Sequence, residues 1–90
     1  MTLRTETYWC YNGTNVTSAS PSTTHQDPWN YSWDGLIVNS YGYVNTPNWD
    51  MVRVGRWRWI FDYNVKFCIR NEMHLNGNGT YSTNPAEYIC

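Results

Sequence analysis

Lysine is almost missing from this chain. One lysine and five arginines stand against seven acids, leaving a net charge of −1 over 90 residues. Charged residues reach only 14%, and without a basic stripe no nucleic-acid partner is indicated. No apolar run approaches the roughly 20 residues of a membrane-spanning helix. The opening Met1-Thr2-Leu3-Arg4 leads straight into polar sequence, without the apolar centre of a signal peptide. Ala, Leu, Glu and Lys, the helix builders, are scarce. His25 and His74 lie in no ligand spacing with Cys, Asp or Glu, so no metal or cofactor is expected. No serine sits in a G-x-S-x-G elbow, and no apolar pair of carboxylates suggests glycoside hydrolysis. Catalysis is not the expected class.

What is plentiful is aromatic. Trp, Tyr and Phe make up 18% of the residues, with Asn, Thr and Ser filling much of the rest. Trp, Tyr and Thr favour a pleated, half-buried surface, so the composition reads as all-β. The organising stretch is Arg56 to Arg70, RWRWIFDYNVKFCIR, in which every odd position from Trp57 to Ile69 is apolar or aromatic. That period of two is a strand signal. A single straight strand would run about 45 Å, too long for a small domain, which predicts a turn at Asp62-Tyr63-Asn64. A three-residue loop there sets Phe61 opposite Val65, Trp59 opposite Phe67 and Trp57 opposite Ile69. A second hairpin is predicted at Asp34-Gly35, between NYSW and LIVN, with Trp29, Tyr31, Trp33, Leu36 and Val38 on its core face.

Elsewhere, Leu3 to Tyr11 reads as a strand, Asn12-Gly13 as a turn and Val16 to Thr24 as a short edge strand interrupted by Pro21. Trp49 to Val54 is a strand broken by Gly55, and Asn76-Gly77-Asn78-Gly79 is a second glycine-rich turn before short closing strands. Residues 1–90 are therefore expected to form one domain, a small antiparallel β-sandwich or small barrel of seven to nine short strands.

Three cysteines leave one over. Cys10–Cys68 is the preferred pair, joining the first strand to the central hairpin for roughly 4 kcal/mol; Cys68–Cys90 closes a shorter loop for roughly 3. Under the preferred pairing, Cys90 is the free thiol and could join two chains. Asn12-Gly13-Thr14, Asn15-Val16-Thr17, Asn30-Tyr31-Ser32 and Asn78-Gly79-Thr80 are formal glycosylation acceptors. Together these point to an extracellular domain whose leader has been removed.

Tyr8-Trp9-Cys10-Tyr11-Asn12-Gly13, followed by Val16-Thr17, resembles the opening of small secreted domains of actinobacteria. Trp33-Asp34-Gly35, Gly55-Arg56-Trp57 and the ending Asn76-Gly77-Asn78-Gly79-Thr80-Tyr81-Ser82 follow in comparable order, while Thr83 to Cys90 departs from that group. The resemblance implies secretion and assigns no activity. Separately, Asn84 to Cys90 is similar to the D-x-A-x-Y-x-C segment of immunoglobulin variable domains, whose cysteine bridges two sheets. The long gap from Cys10 to Trp29 departs from that family.

Six tryptophans exceed what a small core buries with every indole N–H satisfied. Packing of two sheets accounts for Trp29, Tyr31, Trp33, Trp57, Trp59 and Phe61. It leaves Tyr41, Tyr43 and Trp49, with Asn39, as the candidate ligand-binding surface. Flat aromatics beside Asn and Arg suit a glycan or an extracellular protein surface. The expected function is a secreted, non-catalytic binding module. The alternative is a self-assembling structural subunit of a surface layer or fibre, joined through edge strands, Cys90 or an aromatic face. A secreted hydrolase is the third class. One tension remains open at this level: Cys68 shares the even face with Ile60, so a sheet-bridging Cys68 would turn the Trp57–Trp59–Phe61 face outward.

Overall fold

Alternation of apolar and polar residues is realised as six antiparallel strands: β1 (Thr2–Tyr11), β2 (Val16–Gln26), β3 (Tyr31–Tyr41), β4 (Asn48–Trp59), β5 (Asp62–Asn76) and β6 (Tyr81–Ile89). The computed structural model describes all 90 residues, Met1 to Cys90. β1 and β2 form a two-stranded sheet, and β3-β4-β5-β6 form a four-stranded one in sequence order. The result is a small β-sandwich. It has six strands rather than seven to nine because the strands are long, up to 15 residues in β5. The molecule measures 50 × 18 × 16 Å, and a 15-residue strand fits its length at about 3.3 Å per residue. β2 likewise runs 11 residues and pairs along all of β1, with Pro21 opposite Thr7. Each strand of this hairpin has a free edge, where a proline is tolerated.

Both predicted hairpin turns are corrected. β4 does fold back onto β5, but the reversal is at Ile60-Phe61, with Trp59 opposite Asp62 and Trp57 opposite Phe67. Asp62-Tyr63-Asn64 lies just beyond, inside an irregularity that absorbs three residues between the pairs Trp59–Asp62 and Arg58–Lys66. There Asp62 Oδ1 accepts a bond from the Asn64 amide at 3.0 Å. Asp34-Gly35 makes no hairpin at all; it is a bulge within β3, between the pairs Trp33–Trp57 and Gly35–Arg56. Gly35 supplies the positive φ, 113°, that a primed turn and a glycine bulge both require. The Asp34 carboxylate accepts from Arg56 Nε at 2.6 Å and Arg58 Nε at 2.8 Å on β4, tying the bulged strand to its neighbour. A second bulge at Ile37 puts Val38 opposite Val54, on the face away from Leu36, so Val38 leaves the predicted core face. Trp29 leaves it too, 80% exposed ahead of β3.

The β1–β2 hairpin packs on the inward face of the large sheet, the face of Trp49, Met51, Arg53, Gly55 and Trp57. Two apolar clusters result. Val16, Trp49, Met51 and Leu75 form one, flanked by Trp9 and Ala19; Leu3, Trp57 and Ile69 form the other, flanked by Tyr31, Trp33 and Phe67. The face is thus core at Trp57 and Ile69, with Trp59 and Phe67 half-buried, and the outward-wall arrangement does not occur. Phe61 and Val65, expected on that core face, are exposed at the β4–β5 end because the hairpin does not cover them. Gly55 is needed here for space. A Cβ on it would lie 2.7 Å from Trp33 Cζ3 and 3.1 Å from Leu3 Cδ1, so only a bare backbone lets the Trp33 ring seat.

A polar seam lies among the inward residues. Asn71 Nδ2 donates to Leu3 O at 3.1 Å and to Thr5 Oγ1 at 3.2 Å, Thr5 meets Thr23 Oγ1 at 3.0 Å, and Arg53 Nη1 donates to that same Thr23 oxygen. The hairpin is pinned at one end by Asp27, whose Oδ1 accepts the buried Trp57 indole N–H at 2.7 Å and the His25 imidazole at 2.7 Å. His25 also stacks on Trp33 at 3.9 Å. At the other end, the Asn12-Gly13 turn forms as predicted, with Asn12 Oδ1 accepting the amides of Thr14 and Asn15. It rests against the Asn76–Gly79 turn so closely that a side chain on Gly77 would run into the Thr14 carbonyl.

The disulfide is Cys68–Cys90, and Cys10 is an exposed free thiol. The preferred Cys10–Cys68 pair is therefore corrected, and the spare thiol moves from Cys90 to Cys10. Cys68 does occupy the even, outward face of β5, but Cys90 reaches it from the neighbouring strand of the same sheet, where Cys90 N bonds Lys66 O at 3.2 Å. No sheet-bridging disulfide of the immunoglobulin kind exists. The bond spans 22 residues, and the chain-entropy argument assigns it about 3 kcal/mol. Reduction, or Cys90→Ser, is expected to lower the unfolding midpoint accordingly, while Cys10→Ser leaves it within error. Thermal unfolding of the three forms with and without reductant checks this.

Candidate functional site

Where β3 leaves the large sheet, the hairpin no longer covers its inward face. Between β2 and the end of β3 lies an open hollow of about 450 Å³, walled by Pro21, Tyr41, Tyr43, Val44, Trp49 and Arg53. The loop that carries Tyr43 and Val44 is held in place. Gly42 N bonds Asp50 O at 2.8 Å, Asn45 N bonds Val16 O at 2.6 Å and Val16 N bonds Thr46 O at 2.8 Å. The Thr46 hydroxyl lies 2.7 Å from the Tyr43 carbonyl and 2.8 Å from that of Asn48. Asn45 takes a positive φ of 61°, which Asn tolerates better than most residues.

The sequence-predicted residues divide. Tyr41 and Tyr43, 55% and 86% exposed, both line the hollow as surface aromatics. Trp49 lines it from beneath: at 2% exposure it is core, not surface, and this corrects the expectation. Its ring stacks against Tyr41 at 6.4 Å and 22°, giving the exposed tyrosine a rigid backing. Asn39 is exposed opposite Arg53 but does not wall the hollow. Sequence reasoning missed Arg53. Its signal was present, because Trp49, Met51, Arg53, Gly55 and Trp57 are alternate residues on the inward period of one strand. An arginine in that series has to be buried.

Arg53 is only 8% exposed, and its guanidinium carbon lies 5.9 Å from the Tyr41 ring centroid. Arg4, Arg56, Arg58 and Arg70 each pair with a carboxylate; Arg53 pairs with none. Its Nε is sealed from solvent without an acceptor. A buried guanidinium without a counter-ion is costly, and the cation–π contact and the Thr23 hydroxyl offset only part of that. It is the single charged group on the hollow's wall.

The remaining ionisable pairs lie elsewhere. Burial works against the charge of Asp27, but the bonds from Trp57 and His25 prevail and hold its carboxyl below the usual value. The bond from Arg58, opposed by burial and reinforced by Arg56, lowers the Asp34 carboxyl. On the outward face His74 Nδ1 meets Asp50 Oδ1 at 2.6 Å; that bond, opposed by burial and supported by Glu72, raises the imidazole above its ordinary 6.5. Neither the His25–Asp27 nor the His74–Asp50 pair walls any of the three surface hollows; Glu72, 3.6 Å from His74, lines one of them without the histidine. No group of three or more His, Cys, Asp or Glu side chains is placed to hold a metal ion. No helix is long and apolar enough to cross a membrane. Comparison with known proteins finds no family model, no curated protein and no solved structure that matches the chain.

The raised imidazole fixes a pH dependence. A folded-state value above 6.5 means that the His74 contribution is complete below the unfolded value and is lost as pH rises through the folded one. Because the pair is partly exposed, the effect is small, about 0.5 kcal/mol. Wild type is expected to exceed His74→Gln in urea stability at pH 5.5 and to match it at pH 9.

Proposed function

We propose that this protein is a secreted, non-catalytic β-domain that binds glycans, with the hollow at Tyr41 and Tyr43 as its combining site. The observation that carries the reading is a flat tyrosine face, backed by the buried Trp49, open to solvent beside a buried arginine. Sugar rings present C–H faces that rest well on aromatic rings, while their hydroxyls accept from fixed donors such as a guanidinium. Concave, aromatic-lined sites with few polar groups are the usual form of small-ligand sites. The pinned loop at Val44–Thr46 means that little ordering entropy is lost on binding. Secretion is supported by the Cys68–Cys90 disulfide, a bond typical of oxidising compartments.

A second reading, a self-assembling structural subunit, draws on a different place. At the end where β4 turns into β5, Trp29 packs edge-on against Phe61 at 6.1 Å, and Phe61 against Trp59 at 5.3 Å. Phe61, Tyr63 and Ile89 are exposed there, and β3 and β6 leave open sheet edges. An apolar tip of this kind favours contact with another surface. Sedimentation separates the two: the assembler predicts oligomers that Phe61→Ser disperses, and the binding module predicts a monomer.

The glycan reading is tested by calorimetric titration with a panel of plant, bacterial and animal cell-surface oligosaccharides. Binding of at least one member, weakened about tenfold by Tyr43→Ala with the melting midpoint unchanged, is expected. A panel without a binder, or binding indifferent to Tyr43, defeats the proposal.

A further inference from the structure

The hollow's ligand carries a negative charge: we infer that the site takes acidic sugars, with a carboxylate on the ring engaging Arg53. This rests on the glycan reading and narrows it to a substrate class. Four of the five arginines are neutralised within the chain, and the most buried one is not. Arg53 Nη1 donates to Thr23 Oγ1, Nε is sealed without an acceptor, and Nη2 has no protein partner. The fork is therefore held at one corner by the polar seam while donors remain unspent beside a hollow that contains no acid. A desolvated guanidinium pre-positioned in this way favours a carboxylate over a hydroxyl at its free Nη2, because charge-assisted bonds are about twice as strong as neutral ones. A neutral sugar would leave the charge uncompensated.

Tyr41 and Tyr43 decide the other half of the ligand. Tyr41 lies 6.4 Å from the Trp49 ring and 5.9 Å from the Arg53 guanidinium, so its position is tied to the group that reads the carboxylate. A ring that lies against the tyrosines with its carboxylate toward Arg53 uses both features at once. An acidic peptide would use the charge and leave the aromatic faces idle.

The test compares trigalacturonate, galactotriose of equal length and an acetylated tri-aspartate peptide, by titration calorimetry against wild type, Arg53→Lys and Tyr43→Ala. Trigalacturonate is expected to bind at least about tenfold more tightly than galactotriose, the scale of one charge-assisted hydrogen bond. Arg53→Lys keeps a charge but loses both the Thr23 tether of Nη1 and the Nη2 donor held beside the hollow, and is expected to erase most of that preference. Tyr43→Ala is expected to weaken both sugars alike and keep the preference. Equal binding of the two sugars overturns the inference while leaving the glycan reading intact. Tighter binding of the peptide overturns the sugar assignment, and absence of binding by all three overturns the acidic-sugar inference while the wider oligosaccharide panel decides the glycan reading. Arg53 is buried, so each variant's melting midpoint is measured; if Arg53→Lys does not fold, the wild-type preference for trigalacturonate over galactotriose decides in its place.

Discussion

Two strands have to cover four. Strands lie about 4.8 Å apart, so the inward face of β3-β4-β5-β6 is roughly twice as wide as the β1–β2 hairpin laid upon it. That mismatch governs the structure. β1 lies toward β5, through Asn71, and β2 reaches β4 and the start of β3, through Thr23 and His25. Burial is thereby concentrated on Trp49, Met51, Trp57, Ile69 and Leu75, while the inward-facing residues of β6, from Tyr81 to Ile89, stay exposed. A layer so narrow is secured by specific bonds as well as by area. The Trp57 indole donates to Asp27 at one end, the two turns interlock at Gly77 at the other, and the threonine seam joins β1 to β2 over the sheet.

The same mismatch creates the hollow. Its floor is Trp49, which the hairpin buries, and its rim is Tyr41 and Tyr43, which the hairpin is too narrow to reach. Arg53 belongs to both worlds, since it is part of the seam that seats β2 and is also the one charged wall of the open site. On the proposed reading, a residue that costs stability as an unpaired buried cation is kept for a ligand that neutralises it. Polar groups at binding sites often break the rules of packing for this reason.

How much of this was legible in the sequence depends on the range of the cause. Local causes were readable: the period of two from Trp57 to Ile69, the turns at Asn12-Gly13 and Asn76 to Gly79, and the all-β composition. Asp34-Gly35 misled because a hairpin turn and a glycine bulge make the same demand for positive φ, and only Arg56 and Arg58 on β4 decide between them. The β4–β5 reversal moved from Asp62–Asn64 to Ile60-Phe61 because the bulk between Trp59 and Lys66 is absorbed by an irregularity rather than a longer loop. The strands are longer than expected because the molecule is elongated, 50 Å along its long axis. Trp49 and the disulfide depend on which strands become neighbours. That is a long-range outcome, and Cys10, Cys68 and Cys90 are equally plain cysteines until β6 docks on β5. The exposure of Tyr41 and Tyr43 was legible because aromatics outnumber the core that could bury them; the burial of Arg53 was legible in the alternation through β4.

The account is tested most directly by locating the ligand on the folded protein. Arg53 Nε–H gives its own resonance in a nitrogen-15 spectrum and lies sealed beside the hollow. On addition of an acidic oligosaccharide the account predicts that this resonance and the ring signals of Tyr41 and Tyr43 move together and saturate at one concentration. Shifts confined to Trp29, Phe61 and Ile89, with Arg53 unmoved, would contradict it.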